Sequence, residues 1–184
     1  DGVLERCKEA DIPVKIEDQR ASGRPLDVSF MGELRDNQQM AVHAMRSHDC
    51  GILSAATAFG KTVVCSSIIA DRKVSTLILL ESSALIKQWQ NALERFLKFG
   101  EEPPEYETKS GRKKRRKSVV GIIHGAKDTS TGIVDIAMAG SLCKKGEFHP
   151  RLREYGMVLV DECHHSASDT LRSVLQEVHA RHVY

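Results

Sequence analysis

The chain has 184 residues, 41% of them hydrophobic, and a formal net charge of +2, which suits one globular core with room for a small appendage. No run approaches the roughly 18 apolar residues of a membrane span, and the opening DGVLERCKEAD lacks the charged-then-apolar layout of a signal peptide. A cytoplasmic or nuclear setting with no membrane partner is therefore expected. Five cysteines, odd in number and without a C-x-x-C pair, suggest neither a disulfide framework nor a zinc knuckle and read as reduced packing residues.

In chain order, residues 1–30 stand apart. IPVKIED and PLDVSF read as short strands around an SGRP turn, an N-terminal appendage with a small β element. From residue 31 to 184 a different rhythm sets in. GILSAA (51–56), TLILL (76–80), VVGIIH (119–124), VDIAMA (134–139) and MVLV (157–160) are short apolar runs of the kind that form buried parallel strands. Between them, residues 61–72 carry Val64, Ile68 and Ile69 at helical spacing. Residues 83–99 do the same with Leu85, Ile86, Trp89, Leu93, Phe96 and Leu97. Trp89 and Phe96 read as helix core rather than as base-stacking aromatics. Alternating strands and helices predict an α/β fold, a mostly parallel sheet covered on both faces.

One interruption is electrostatic. Glu101, Glu102, Glu105 and Glu107 precede KSGRKKRRK, in which seven of the nine residues from Lys109 to Lys117 are basic. Such a run is a solvated loop, a phosphate-backbone contact or a nuclear localisation signal, and the sequence leaves all three open.

The stretch GILSAATAFGKTVV (51–64) has the setting of a phosphate loop: a predicted strand before it and a helix after it, so that backbone N–H groups and a helix N-terminus face an anion. Lys61 would reach the β- and γ-phosphates, and Thr62 would offer a hydroxyl to magnesium. Ala55 stands where the full phosphate-loop pattern has its first glycine, and Ala58 occupies another flexible position. The alternative is a strand-turn-helix with an incidental Gly-Lys-Thr. In YGMVLVDECHHSAS, Asp161 and Glu162 emerge at the carboxyl end of a strand, where open α/β sheets bind ligands. One carboxylate can hold magnesium opposite Thr62 while the next takes a proton from the attacking water, which assigns the first role to Asp161 and the second to Glu162.

ATAFGKT and DECHH together resemble motifs I and II of superfamily 2 helicases and translocases, in the DExH group that includes type III restriction and excision-repair motors. LRDNQQMAV resembles that family's adenine-sensing element, LILLESSALIKQW its motif Ia and VDIAMAGSL its motif Ib. The likeness runs over about residues 33–184 and implies a RecA-like P-loop domain using ATP and Mg2+. By position it implies that Arg35, Gln38, Thr57, Ala58, Phe59, Gly60, Lys61 and Thr62 bind the nucleotide, and that Thr62 and Asp161 hold the metal. Lys61, Asp161, Glu162 and His164 would serve catalysis, with His164 linking the ATP site to the family's motif III. Ser82 and Ser141 would touch a nucleic-acid backbone, DNA being favoured over RNA. Glu81-Ser82 departs from the usual motif Ia residues. The family's second RecA-like domain, with its arginine finger, is expected to lie outside this chain. Two alternatives stay open: a nucleic-acid-binding or scaffolding module that uses ATP as a conformational ligand, and a small-molecule kinase, for which no acceptor-substrate lid is recognisable.

Overall fold

The computed structural model describes residues 2–108, 110–144, 146–163 and 169–184. The N-terminal part holds helix α1 (Gly2–Glu9), strand β1 (Val28–Phe30) and helix α2 (Asp36–Arg46). Next come α3 (Lys61–Arg72), β2 (Thr76–Leu80), α4 (Ala84–Phe96), β3 (Leu97–Phe99), β4 (Glu105–Glu107) and β5 (Lys113–Arg115). Strands β6 (Val120–His124), β7 (Lys127–Asp128) and β8 (Val134–Met138) precede the short α5 (Ala139–Leu142) and strands β9 (Cys143–Lys144) and β10 (Glu147–Phe148). A 3-10 turn (Pro150–Arg153), β11 (Met157–Val160), α6 (Asp169–Gln176) and β12 (His182–Val183) complete the chain.

The main sheet has the order β12-β11-β2-β8-β6-β7. Every neighbouring pair from β12 to β6 is parallel, and β7 is an antiparallel edge strand. The expected α/β fold is thus the observed one. Its two cores follow from the period of two along a strand. In β2, Ile78 and Leu80 join Val64, Ile68, Trp89 and Leu93 on one face, beneath α2, α3 and α4. Leu77 and Leu79 join Val158, Leu142, Leu171 and Val174 on the other, beneath α5 and α6. All five β2 side chains are buried, and burying each apolar one contributes roughly 1.5–3 kcal/mol relative to exposure. No described helix is long and apolar enough to cross a membrane.

Three expectations change. Residues 51–56 form no strand. Parallel pairing starts at the Cys50–Val183 bridge, and the Gly51 N–H donates to the Val183 carbonyl at 3.1 Å. Among the described residues no ladder continues over 52–56, and Ile52 is 82% exposed. The helix expected over 83–99 ends at Phe96, because Leu97–Phe99 turn extended and pair antiparallel with β1. Of the two strands expected in residues 1–30, PLDVSF supplies β1, whereas IPVKIED forms no strand; α1 buries no side chain, while Leu26 and Val28 sit in the main core.

One polar cluster is built into the second core. Asp135, on β8, is fully buried and accepts from the Thr131 and Gly132 N–H groups, both at 2.8 Å, and from the Tyr155 hydroxyl at 2.6 Å. Burial first, and then the Asp135 charge, raise the Tyr155 pKa well above the usual tyrosine value, so the phenol stays a donor. Gly121, on β6 alongside, has no room for a Cβ because the Asp135 carboxylate fills that space.

Candidate nucleotide-binding site

The loop before α3 is held from behind. Arg35 precedes α2, and Gln38 on its first turn is buried. The Gln38 Nε2 donates to the Phe59 carbonyl at 2.8 Å, the Arg35 guanidinium donates to the same oxygen, and the Gln38 Oε1 accepts from the Arg35 N–H at 3.0 Å. Gly60, the N-cap of α3, has φ +89°, and a Cβ there would meet the Gln38 Nε2 at 2.5 Å. Both facts demand glycine. Ala58 also takes positive φ, at 64°, so the loop adopts a left-handed conformation where the sequence offers alanine, at a cost of about 1 kcal/mol.

The helix opens with its donors outward. The N–H groups of Val63 and Val64 bond to the Gly60 carbonyl. Those of Lys61 and Thr62 meet no carbonyl among the described residues. A 12-residue helix whose first N–H groups are open, with Lys61 beside them, suits an anion.

Facing it, the Asp161 N–H donates to the Leu79 carbonyl at 3.1 Å, continuing the β11–β2 ladder one residue beyond the strand. Both Asp161 oxygens are engaged: Oδ1 accepts from the Glu162 N–H at 3.0 Å, and Oδ2 accepts from the Trp89 indole Nε1–H at 2.7 Å. Glu162 then turns into the left-handed region, φ 55°, which is costly for glutamate. That turn brings its Oε1 to 3.8 Å from the Lys61 Nζ, with the two side chains 37% and 36% exposed.

These groups line one cleft of about 620 Å³, together with Thr57, Cys65, Trp89 and Val160. The Cys65 thiol is pushed up to about 12, mainly by burial and then by the Asp161 charge. It therefore stays protonated and is no nucleophile.

Among the predicted residues, the structure brings Thr57, Lys61, Asp161 and Glu162 onto this cleft. Arg35, Gln38, Phe59 and Gly60 form the back of the loop, and Thr62 sits beside Lys61 on α3. His164 lies outside the described residues. Ser82 is exposed just after β2. Ser141 is buried on α5, its Oγ accepting from the Gly125 N–H at 2.8 Å. The residues just before each serine help line a smaller cleft, formed by Leu80, Glu81, Met138, Ala139, Gly140 and Thr170. The Trp89 bond to Asp161 is absent from the sequence expectations: its only signal is a lone tryptophan in an amphipathic helix, which reads as packing.

No group of three or more His, Cys, Asp or Glu side chains suited to a metal exists among the described residues. Magnesium is commonly held by one or two carboxylates together with substrate phosphates and water, and Asp161 beside an open helix N-terminus meets that requirement.

The basic run lies elsewhere. β4 and β5 pair as an antiparallel hairpin that sets Glu105 opposite Arg115 and Glu107 opposite Lys113. Arg115 pairs with Glu102 and, at 3.6 Å, with Glu105, while the Arg116 guanidinium sits 4.2 Å above the Tyr106 ring. The hairpin base, closed by the Arg116 N–H on the Pro104 carbonyl, leads into the amino end of β6. Ser82 and Ser141 follow the carboxyl ends of β2 and β8, parallel to β6. The hairpin base thus stands at the end of the sheet opposite those serines, with a five-residue strand, about 16 Å long, between the two ends.

A mostly parallel sheet, a Gly-Lys-Thr loop entering a helix, and Asp-Glu at the end of an interior strand define a RecA-like P-loop domain. The chain belongs to the family described as type III restriction enzyme, res subunit, which matches residues 31–183. It is 31% identical over 137 residues to the DNA 3'-5' translocase XPB2 of Sulfurisphaera tokodaii, covering 74% of this chain and 26% of that protein. The protein named Rad25 of Halobacterium salinarum is 29% identical over 165 residues, 89% of this chain and 25% of its own length. The chain thus spans about a quarter of these relatives. In fold it is similar to the Sulfolobus solfataricus SWI2/SNF2 ATPase core solved in complex with dsDNA, with a TM-score of 0.58, 15% identity, and coverage of 88% of this chain and 33% of that one.

Proposed function

We propose that this chain is the ATP-binding lobe of an ATP-dependent helicase or translocase that acts on DNA. The observation that carries the reading is the meeting of Lys61 with Glu162 at 3.8 Å beside Asp161, from segments far apart in the chain, on one cleft. The likeness to a DNA 3'-5' translocase supplies the direction of the assignment.

In this reading the phosphates lie against the open N–H groups of Lys61 and Thr62, with Lys61 as their point charge. Asp161 and Thr62 would hold Mg2+, which would supply neutralisation of developing phosphate charge. Glu162 orients the attacking water and accepts its proton. Arg35 and Gln38 hold the loop through the Phe59 carbonyl, and the second N–H of the Gln38 amide is the one left to read adenine. Ser82 meets the nucleic-acid backbone more readily than the buried Ser141. Full turnover requires the second lobe, since an arginine finger is worth about 10³–10⁵ in phosphoryl transfer.

Calorimetric titration of Mg-ATP tests the site. Lys61→Ala is expected to weaken binding by about ten- to a hundredfold, the range of a charge-assisted hydrogen bond. Equal affinities would overturn the assignment. A second expectation concerns the hairpin. Phosphate contacts contribute about 0.9 each to the salt slope of DNA binding, and Arg115 and Arg116 already have partners at the far end of the sheet. Replacing Arg112 to Lys117 by Gly/Ser should leave the slope within about one unit of the parent. A fall of two or more would assign phosphate contacts to the hairpin.

A further inference from the structure

A buried indole N–H must find an acceptor or lose a hydrogen bond. Trp89 is 2% exposed and belongs to the core beneath α3 and α4. Within that apolar setting its Nε1–H meets a charged group: the Asp161 Oδ2, at 2.7 Å. The ring also lines the cleft beside Lys61 and Cys65. Since the Glu162 N–H holds the other oxygen at 3.0 Å, the carboxylate plane is fixed from two sides. Each oxygen accepts one of these bonds and keeps a lone pair for a further ligand.

We propose that Trp89 is a positioning residue for the metal-holding carboxylate: its indole N–H fixes the rotamer of Asp161 from α4, so that Asp161 meets Mg2+ already aligned. This rests on the reading of Asp161 as the carboxylate that holds Mg2+. Groups that orient a metal-holding side chain from behind are typically worth about 10–100-fold in metal affinity. A phenylalanine would fill much of the same core volume but lacks the donor, so the N–H is the separable part of the residue.

The test uses the 184-residue chain, ATP as ligand and Mg2+ as titrant. Trp89 is the only tryptophan, so its fluorescence reports on this bond directly. In the parent chain saturated with ATP, emission is expected to change as Mg2+ is added and to return when EDTA removes it. Trp89→Phe is expected to raise the Mg2+ concentration for half-maximal ATP binding by about tenfold or more, with metal-free ATP affinity unaltered. A tryptophan serving only packing would give emission indifferent to Mg2+ and a Phe variant with the parent's Mg2+ requirement, and either result overturns the proposal. If the Phe variant does not fold by circular dichroism, the emission titration alone decides. Asp161→Asn separates the two layers of inference: an unchanged Mg2+ requirement there removes the metal assignment itself, and the positioning role with it. A raised requirement in Asp161→Asn beside an unchanged one in Trp89→Phe removes only the role of Trp89.

Discussion

Replacing Glu162 by glutamine is expected to lower ATP turnover of the intact enzyme by about 10²–10⁴-fold while Mg-ATP affinity is retained. The amide keeps the shape of the side chain but cannot take a proton from water. Geometry sharpens the expectation on affinity. Without nucleotide, Glu162 stands 3.8 Å from Lys61, the group proposed to meet the phosphates. Glutamine therefore removes a competitor for Lys61, and affinity should stay level or rise by at most about fivefold, because a part-exposed ion pair is worth about 1 kcal/mol or less. Single-turnover measurements alongside equilibrium binding separate the two quantities. Turnover unchanged in Glu162→Gln would remove the proton-acceptor role and favour a module that uses ATP as a conformational ligand.

What could be read from the residues divides along physical lines. Four of the five strands expected over residues 51–160 form, because short apolar runs buried on both faces admit few other structures. α3 begins and ends where its apolar spacing says. The run 51–56 looks like its neighbours in composition, yet a strand exists only through its partner, and composition cannot supply one. The break at Leu97 has the same cause in reverse: β1 provides a partner, and the chain leaves the helix to take it. In the site, Lys61, Asp161 and Glu162 were legible because loop and strand end are local patterns. The Trp89–Asp161 bond spans 72 residues and joins a residue that looks like core to one that looks like chemistry. The basic run was legible as charge but not as a hairpin, since its pairing with Glu105 and Glu107 depends on register.

The Asp135 cluster shows the same limit and carries the largest expected effect on stability. Within VDIAM the aspartate interrupts a strand whose other residues are apolar or, at Met138, partly buried, and nothing nearby in sequence announces its partner Tyr155, 20 residues on. Asp135→Ala would strand the Thr131 and Gly132 N–H groups and the Tyr155 hydroxyl without acceptors, whereas the Thr131 hydroxyl keeps the Val119 carbonyl at 2.7 Å. Each orphaned buried group costs about 1–3 kcal/mol, so a total loss of about 3–5 kcal/mol is expected. Tyr155→Phe removes one donor and leaves the carboxylate its backbone partners, so it should cost only about 1–2 kcal/mol. Urea denaturation of both single variants and the double variant gives the coupling between them. Because the phenol has no acceptor left once Asp135 is gone, Tyr155→Phe in the Asp135→Ala background should be close to neutral or stabilising. Strict additivity of the two losses would mean that the hydroxyl and the carboxylate act independently, and the clamp that ties the 131–132 turn to β8 would have to be assigned to the backbone bonds alone.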